Sequence, residues 1–405
     1  MSSLDTLVII GAAHAGGRAA QAIRAAGFAG RVVLVGEEAW IPYERPPLSK
    51  DLLKGEGGIE RVQLNAPAFY AEKSIELRLG ERASAIDAKA RHVRVGGAQL
   101  AYDHLMLATG ARVRRLSIPG ADLPGVAYLR TLDDAAAIRA RLVPGARVVV
   151  IGGGFIGLEC AASARARGCE VVVLEAADRL MGRAVAPEIG AHFAALHRAH
   201  GVDVRLSAKV AAFEGTGRLE RVALAQGSVP ADLAIVGIGI VPNAEIAAEA
   251  GLAVDNGIVV DDRGRTSDPA IFAAGDVVYQ PNAFLGRRVR LESYQNAQDQ
   301  GMTVGRNMTG ADQAYEDRLW VWSDQYDVNL QMLGAPLAWE RVVLRGDAAK
   351  GAFTAFYLQD GRVVAVNAIN NGREIRTCER LMASRIQVSP DQLADPAVNL
   401  RKLGG

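Results

Sequence analysis

Two glycine-rich turns lie far apart in this chain, and each has residue types suited to the pyrophosphate of a dinucleotide. The first is Leu7-Val8-Ile9-Ile10-Gly11-Ala12-Ala13-His14-Ala15-Gly16. The second is Val148-Val149-Val150-Ile151-Gly152-Gly153-Gly154-Phe155-Ile156-Gly157-Leu158-Glu159. In such a turn one glycine makes the bend, a second admits the pyrophosphate, and a third lets helix and strand approach. Gly11 and Gly16 fill the first and third roles in the first turn. Ala13 stands at the second, where a methyl group is a modest obstruction. Gly152, Gly154 and Gly157 give the second turn its full set.

The surrounding elements decide whether these turns can work. Residues 6–10 read as a buried strand, Arg18 to Ala26 as a helix, and Arg31 to Val35 as a second strand ending at Gly36-Glu37. Strand, glycine turn, helix, strand and acid is the order of a dinucleotide-binding βαβ unit, with the helix N-terminus receiving the pyrophosphate. Glu37 is the candidate for the ribose diol. The pattern recurs with Val148 to Ile151, a helix running to Gly168, a strand from Glu170 to Leu174, and Glu175. An acid there accepts ribose hydroxyls and repels a 2′-phosphate, so NADH is expected over NADPH; Arg179 and Arg183 nearby oppose that preference. Thr131, with Asp134 three residues on, predicts a capped helix upstream.

Strand-then-turn segments at Leu105 to Gly110, Ala234 to Gly239 and Ile271 to Asp276 bracket the second unit. The predicted fold class is α/β: two nested Rossmann-like dinucleotide-binding domains followed by a smaller α+β C-terminal domain. The expected bounds are 1–112 with 240–312, then 113–239, then 313–405.

Composition limits the alternatives. The 405 residues carry a formal charge of +1, which disfavours a nucleic-acid binder. Three cysteines (Cys160, Cys169 and Cys378) suggest neither a disulfide framework nor a metal site. Nothing reads as a signal peptide or membrane span, so a soluble cytoplasmic protein is expected.

Several stretches together resemble the FAD-dependent NADH:ferredoxin reductases of cytochrome P450 and ring-hydroxylating dioxygenase systems. These belong to the pyridine nucleotide-disulfide oxidoreductase superfamily but lack its redox disulfide. The stretches are Pro42-Tyr43-Glu44-Arg45-Pro46-Pro47-Leu48-Ser49-Lys50, Ala108-Thr109-Gly110, Gly152 to Glu159, Thr266 to Asp276, Arg290 to Ser293 with Gln295-Asn296-Ala297, and Trp320 to Tyr326. The resemblance spans essentially the whole chain. It implies FAD at the first turn and NADH at the second. Lys50, Glu159 and Trp322 would serve the reaction, with Trp320 the second choice. Arg45 and Lys50 would lie along the flavin and its phosphates, Asp276 would bind the ribityl chain, and Glu159 would orient the nicotinamide. The implied cofactor-binding set also takes in Gly11, Ala13, His14, Ala15, Gly16, Glu37, Arg82, Ala108, Thr109 and Gly110. It continues through Arg130, Gly152, Gly154, Phe155, Ile156, Gly157, Glu175, Gly237, Gly239 and Gly275 to Glu292, Ser293 and Tyr294. Tyr294 departs from the family pattern, which has a small aliphatic residue there.

The implied activity passes electrons from NADH through FAD, one at a time, to a [2Fe–2S] ferredoxin, and indirectly to a P450 or dioxygenase. Arg287, Arg288, Arg290 and Arg306 are candidates to steer an acidic partner, and a monomer or weak dimer is expected. A rubredoxin or another acceptor on the same scaffold is the alternative. A non-catalytic module binding both nucleotides is the alternative of a different class. A thiol-dependent reductase is disfavoured because Tyr43 to Lys50 contains no cysteine.

Overall fold

The computed structural model describes residues 5–317, 319–335 and 338–403. Their contacts divide into two compact units. The first contains the described residues of Met1–Arg45, Gly58–Arg112 and Ile240–Arg318, and the second those of Pro46–Gly57, Val113–Gly239 and Leu319–Gly405.

The first unit is built on a five-stranded parallel sheet ordered Ile271–Ala273, His104–Leu107, Thr6–Ile10, Arg31–Gly36 and Ile75–Leu79. Its central strands Thr6–Ile10 and Arg31–Gly36 are apolar beyond their first residue because both faces are buried. Val8, Ile10, Val33 and Val35 join one core, while Leu7, Ile9, Val32 and Leu34 join the other. The helix His14–Ala25 begins inside the glycine turn, four residues before the expected Arg18. Gly16 does not break it. A Cβ on Gly16 would stand 2.0 Å from the Gly11 carbonyl oxygen, so the missing side chain permits the helix to touch its strand. Gly301 and Gly305 of the helix Tyr294–Met308 do the same against Ala15 and Ala19, where a Cβ would meet carbonyl oxygens at 2.5 and 2.6 Å.

The second unit repeats the plan. Its parallel sheet is ordered Asp203–Arg205, Glu170–Leu174, Arg147–Ile151, Leu233–Val236 and Val126–Tyr128. The fifth strand comes from before the glycine turn here and from far after it in the first unit. Thr131 caps the helix Leu132–Arg141 through a reciprocal box with Asp134. A five-stranded sheet of Trp320–Gln325, Val328–Leu333, Arg362–Ile369, Ala352–Gln359 and Arg341–Asp347 forms the C-terminal part.

Two boundaries differ from the sequence expectation. Pro46–Gly57 groups with the second unit, because its short helix Asp51–Lys54 packs on the helices Leu132–Arg141 and Phe155–Ala166, burying Leu52 and Leu53. The C-terminal sheet also groups with that unit. Tyr357 accepts the Ala186 N–H at 2.7 Å, and His192 packs edge-on to Phe353. Among the described residues, no helix is long and apolar enough to cross a membrane.

Candidate functional site

The first turn sits at the carboxyl end of the Thr6–Ile10 strand, where parallel sheets place ligands. Gly11 has φ +117°, and a Cβ there would stand 2.1 Å from the Ala108 carbonyl oxygen. The neighbouring loop is tied to Asn243: Thr109 donates to its carbonyl at 2.7 Å, and its side-chain amide donates to Thr109 O at 2.9 Å. Asn243 also donates its backbone N–H to Gly110. Gly275 has φ +84° and lies against Ala15, whose Cβ would be 3.0 Å from one added at the glycine. The turn therefore gathers Gly11, Ala13, Ala15, Gly16, the Ala108-Thr109-Gly110 loop and Gly275-Asp276.

Ala13 supplies no side-chain cap to the helix it precedes, and the first turn holds no acid. A helix end left so offers N–H donors and a partial positive charge to an anion. His14 is buried beside it. Its ring lies 4.3 Å from that of Tyr294. Burial, then the nearby Arg18 charge, lowers the His14 pKa to about 3. Tyr294 is held by Glu44, to which it donates at 2.7 Å; burial and that carboxylate push its phenol up to about 12. Ser293 caps its helix by accepting the Asn296 N–H.

The charged residues around this turn pair with one another. Glu37 is largely exposed and stands 3.5 Å from an equally exposed Arg82. Its neighbour Glu38 takes Arg45 at 2.7 Å and the Tyr43 hydroxyl at 2.5 Å. Burial opposes the charge on Arg45, but Tyr43, Glu38 and Asp276 outweigh it and raise its pKa. Arg290 pairs with Glu292 at 2.5 Å, and Arg288 donates to the carbonyls of Val260 and Tyr279. Of the four arginines considered for docking, Arg287 alone is exposed.

The second turn is more open. Gly152 has φ +103°, with Gly237 O 2.3 Å from where its Cβ would be. Gly237 donates to Ile151, and Gly239 accepts from Arg114. Gly157 takes the same close approach as Gly16, 2.0 Å being replaced by 2.1 Å. At Gly154, the N-cap of the helix Phe155–Ala166, a Cβ would meet nothing within 4 Å. Here too no side chain caps the helix and no acid lies in its first turn, while Ile156 is 48% exposed. Glu175 accepts the Gly153 N–H at 2.6 Å and the Ala177 N–H at 2.7 Å. A carboxylate has about four acceptor sites, so capacity remains for a diol. Arg179 is turned back onto the Gly182 carbonyl at 3.0 Å, and Arg183 is exposed. Arg130 precedes the Thr131 cap, its backbone N–H donating to Asp134.

Below this turn lies a buried ion pair. Lys50 Nζ is 2.9 Å from Glu159 Oε2, with side-chain exposures of 15% and 2%. Ser49 donates to the same oxygen at 2.5 Å, and Ser323 donates to Oε1 at 2.6 Å. Lys50, which the resemblance sets along the flavin, has its ammonium paired with Glu159. Trp320 and Trp322 share one face of their strand, as period two requires, with rings stacked 5.0 Å apart. Sequence reasoning missed Glu38, Ser49 and Ser323. Ser49 adjoins Lys50, and Ser323 adjoins Trp322, so each lay within a motif already singled out.

All three cysteines are buried and unpaired with one another. Burial raises each thiol's pKa, with Glu159 adding to the effect at Cys160. Among the described residues, no group of three or more His, Cys, Asp or Glu could hold a metal.

The chemistry of these donors fits two nucleotides. Each unit has a parallel sheet, a glycine turn and an uncapped helix start, and together they define a protein that holds two dinucleotides. The chain matches the family model "pyridine nucleotide-disulphide oxidoreductase" over residues 5–301 and "reductase C-terminal" over residues 320–404. It belongs to the pyridine nucleotide-disulphide oxidoreductase family. It is 48% identical over 405 residues to the anthranilate 1,2-dioxygenase system ferredoxin–NAD(+) reductase component of Burkholderia cepacia, spanning 98% of this chain and 99% of that one. Rhodocoxin reductase of Rhodococcus erythropolis is 41% identical over 399 residues, spanning 98% and 93%. Among solved structures, the covalent putidaredoxin reductase–putidaredoxin complex matches with TM-score 0.95 and 39% identity, covering 98% of each chain.

Proposed function

We propose that this protein takes electrons from NADH through FAD and delivers them singly to a [2Fe–2S] ferredoxin that supplies a P450 or a dioxygenase. Its family and relatives make it a ferredoxin–NAD(+) reductase, an oxidoreductase that uses FAD and NAD(H). The observation that carries the reading is the buried Lys50–Glu159 pair. The segment where thiol chemistry would need sulfur carries a lysine, and the cysteines lie buried with raised pKa values.

FAD, when bound, supplies the change from a two-electron donor to a one-electron acceptor. The chain supplies binding and orientation. The first helix end, with Gly11, Ala13 to Gly16 and Ala108 to Gly110, holds the FAD pyrophosphate. Arg45, Asp276, Gly275 and the Glu292-Ser293-Tyr294 turn hold the rest of that cofactor, with Arg82 and Glu37 at its outer edge. The second helix end holds the NADH pyrophosphate at Gly154 to Gly157, with Gly237, Gly239 and Arg130 closing the pocket. Glu175 takes the adenosine ribose. Glu159, fixed by Lys50, orients the nicotinamide, and Trp322 flanks the reacting groups. The protein operates as a soluble cytoplasmic monomer or weak dimer.

The test is anaerobic. Purified protein is reduced by NADH and mixed with a [2Fe–2S] ferredoxin and, separately, with a rubredoxin. Rapid reduction of the ferredoxin, with little transfer to rubredoxin, is expected. FAD reduction without onward transfer to either would contradict the proposed acceptor. Failure to oxidise NADH would contradict the enzyme itself.

A further inference from the structure

Glu159 sits at the end of a hydrogen-bonded chain whose direction is set by donor and acceptor inventory. Its Oε2 is engaged by Ser49 and Lys50, and its Oε1 takes the Ser323 hydroxyl at 2.6 Å. An ionised carboxylate only accepts, so Ser323 spends its one proton on Glu159. The Ser323 oxygen must therefore accept from Gln325 Nε2, 3.1 Å away. That orients the amide and leaves Gln325 Oε1 facing His197 Nε2 at 2.9 Å. An amide oxygen cannot donate, so His197 carries its proton on Nε2. Its Nδ1 then accepts from the Tyr326 hydroxyl at 3.1 Å. The reverse amide orientation would set two acceptors against each other beside Ser323.

Ser323, Gln325 and His197 are each no more than 1% exposed. At the outer end, the ring of the exposed His200 stacks on Tyr326 with centroids 3.7 Å apart. Burial lowers the pKa of His197, which suits the neutral ring this chain requires. A network satisfied in only one orientation fixes its members more firmly than separate bonds. The chain runs from the helix Pro187–Ala199 through the strand Trp320–Gln325 to the helix that starts at the second glycine turn.

We propose that Ser323, Gln325 and His197 are positioning residues that hold Glu159 Oε1 in a single orientation for hydride transfer. Every donor in the chain points toward Glu159. A neutral amide at its centre passes protons poorly, so the chain orients the carboxylate and does not conduct. The C-terminal sheet thereby contributes to NADH chemistry without supplying a group that touches the nucleotide. This rests on the reading that Glu159 orients the nicotinamide.

The holoenzyme and three variants test it. In His197→Leu, reduction of bound flavin by NADH slows about tenfold, less than the roughly hundredfold that a misplacement of about 1 Å can cost. FAD content and reduction by dithionite stay unchanged. His197→Gln, which returns a donor near Nε2, recovers most of the rate. A folded His197→Leu enzyme with the parent rate, or a folded His197→Gln enzyme no better than His197→Leu, overturns the proposal. Glu159→Gln separates the two readings, since an unaffected rate there defeats the role of Glu159 itself. Should His197→Leu fail to fold, nitrogen-15 NMR of the histidine-labelled parent still decides. A neutral ring protonated at Nε2 is expected, and a proton at Nδ1 overturns the chain.

Discussion

The two glycine turns share a plan and differ in what fills the space beside them. At the first, His14 and Tyr294 pack against each other, and His14 is buried. At the second, Phe155 stands where His14 stands at the first and is half-buried, Gly154 in the place of Ala13 has nothing within 4 Å of where a Cβ would be, and Ile156 is exposed. Their acids differ as well. Glu175 is drawn into its own turn by two backbone N–H groups, while Glu37 points to solvent with Arg82. A walled site suits a cofactor that stays through many turnovers. An open site with a preset acid suits a nucleotide that binds and leaves each cycle. On the proposed assignment the same βαβ unit serves both roles, and the side chains beside the turn distinguish them.

The largest effects come from closing each turn in its own way. Gly11→Ala would force a Cβ against the Ala108 carbonyl at positive φ, and the protein should purify without flavin. Gly152→Ala meets Gly237 in the same manner, yet that protein should stay yellow and resist reduction by NADH. Absorption spectra of the two purified variants check both outcomes, and loss of FAD from Gly152→Ala would break the division of labour.

Glu159→Gln should rank next. Removing one charge of a buried pair strands the other, at a cost of about 3–5 kcal/mol, and NADH-driven flavin reduction should slow by roughly 100-fold. Stopped-flow absorbance reads this directly. Glu175→Ala should lower the preference for NADH over NADPH about tenfold, from lost ribose bonds and relieved repulsion, as read by the ratio of kcat/KM values. Gly154→Ala is subtler and more diagnostic. The protein offers nothing for the methyl to strike, so Tm should hold while KM for NADH rises a few-fold. A fall in Tm with KM unchanged would mean the space is structural.

His14 gives the smallest effect. Its folded pKa of about 3 lies below the unfolded value of 6.5, so the unfolded chain binds more protons between them. The neutral ring's stabilising contribution is complete above pH 6.5 and is lost progressively as pH falls toward 3. Flavin-free His14→Phe protein should lose less stability on acidification than the flavin-free parent, measured by urea unfolding at pH 7 and 5. Equal losses would remove His14 from the wall of the first site as a neutral group.

Much of this arrangement is legible in sequence because local physics dictates it. Buried parallel strands must be apolar throughout, which exposes Leu7 to Ile10 and Val148 to Ile151 at sight. Thr131 and Asp134 announce their capping box, and the spacing of Trp320 and Trp322 predicts one face. What escapes is whatever depends on packing between distant segments. Pro46–Gly57 follows the first unit in sequence and joins the second through Leu52 and Leu53. Ser323 lies 164 positions from Glu159, so no local pattern reveals their bond. Glu37 occupies the position that a motif assigns to the acid, yet Glu38 is the residue that engages Arg45.

Single-turnover reduction of gel-filtered protein tests the central claim most directly. After small nucleotides are removed, the protein should retain FAD near one per chain, and NADH should bleach that flavin faster than NADPH does. Loss of flavin on the column, or faster bleaching by NADPH, would contradict the assignment of a resident site at the first turn and an NADH site at the second.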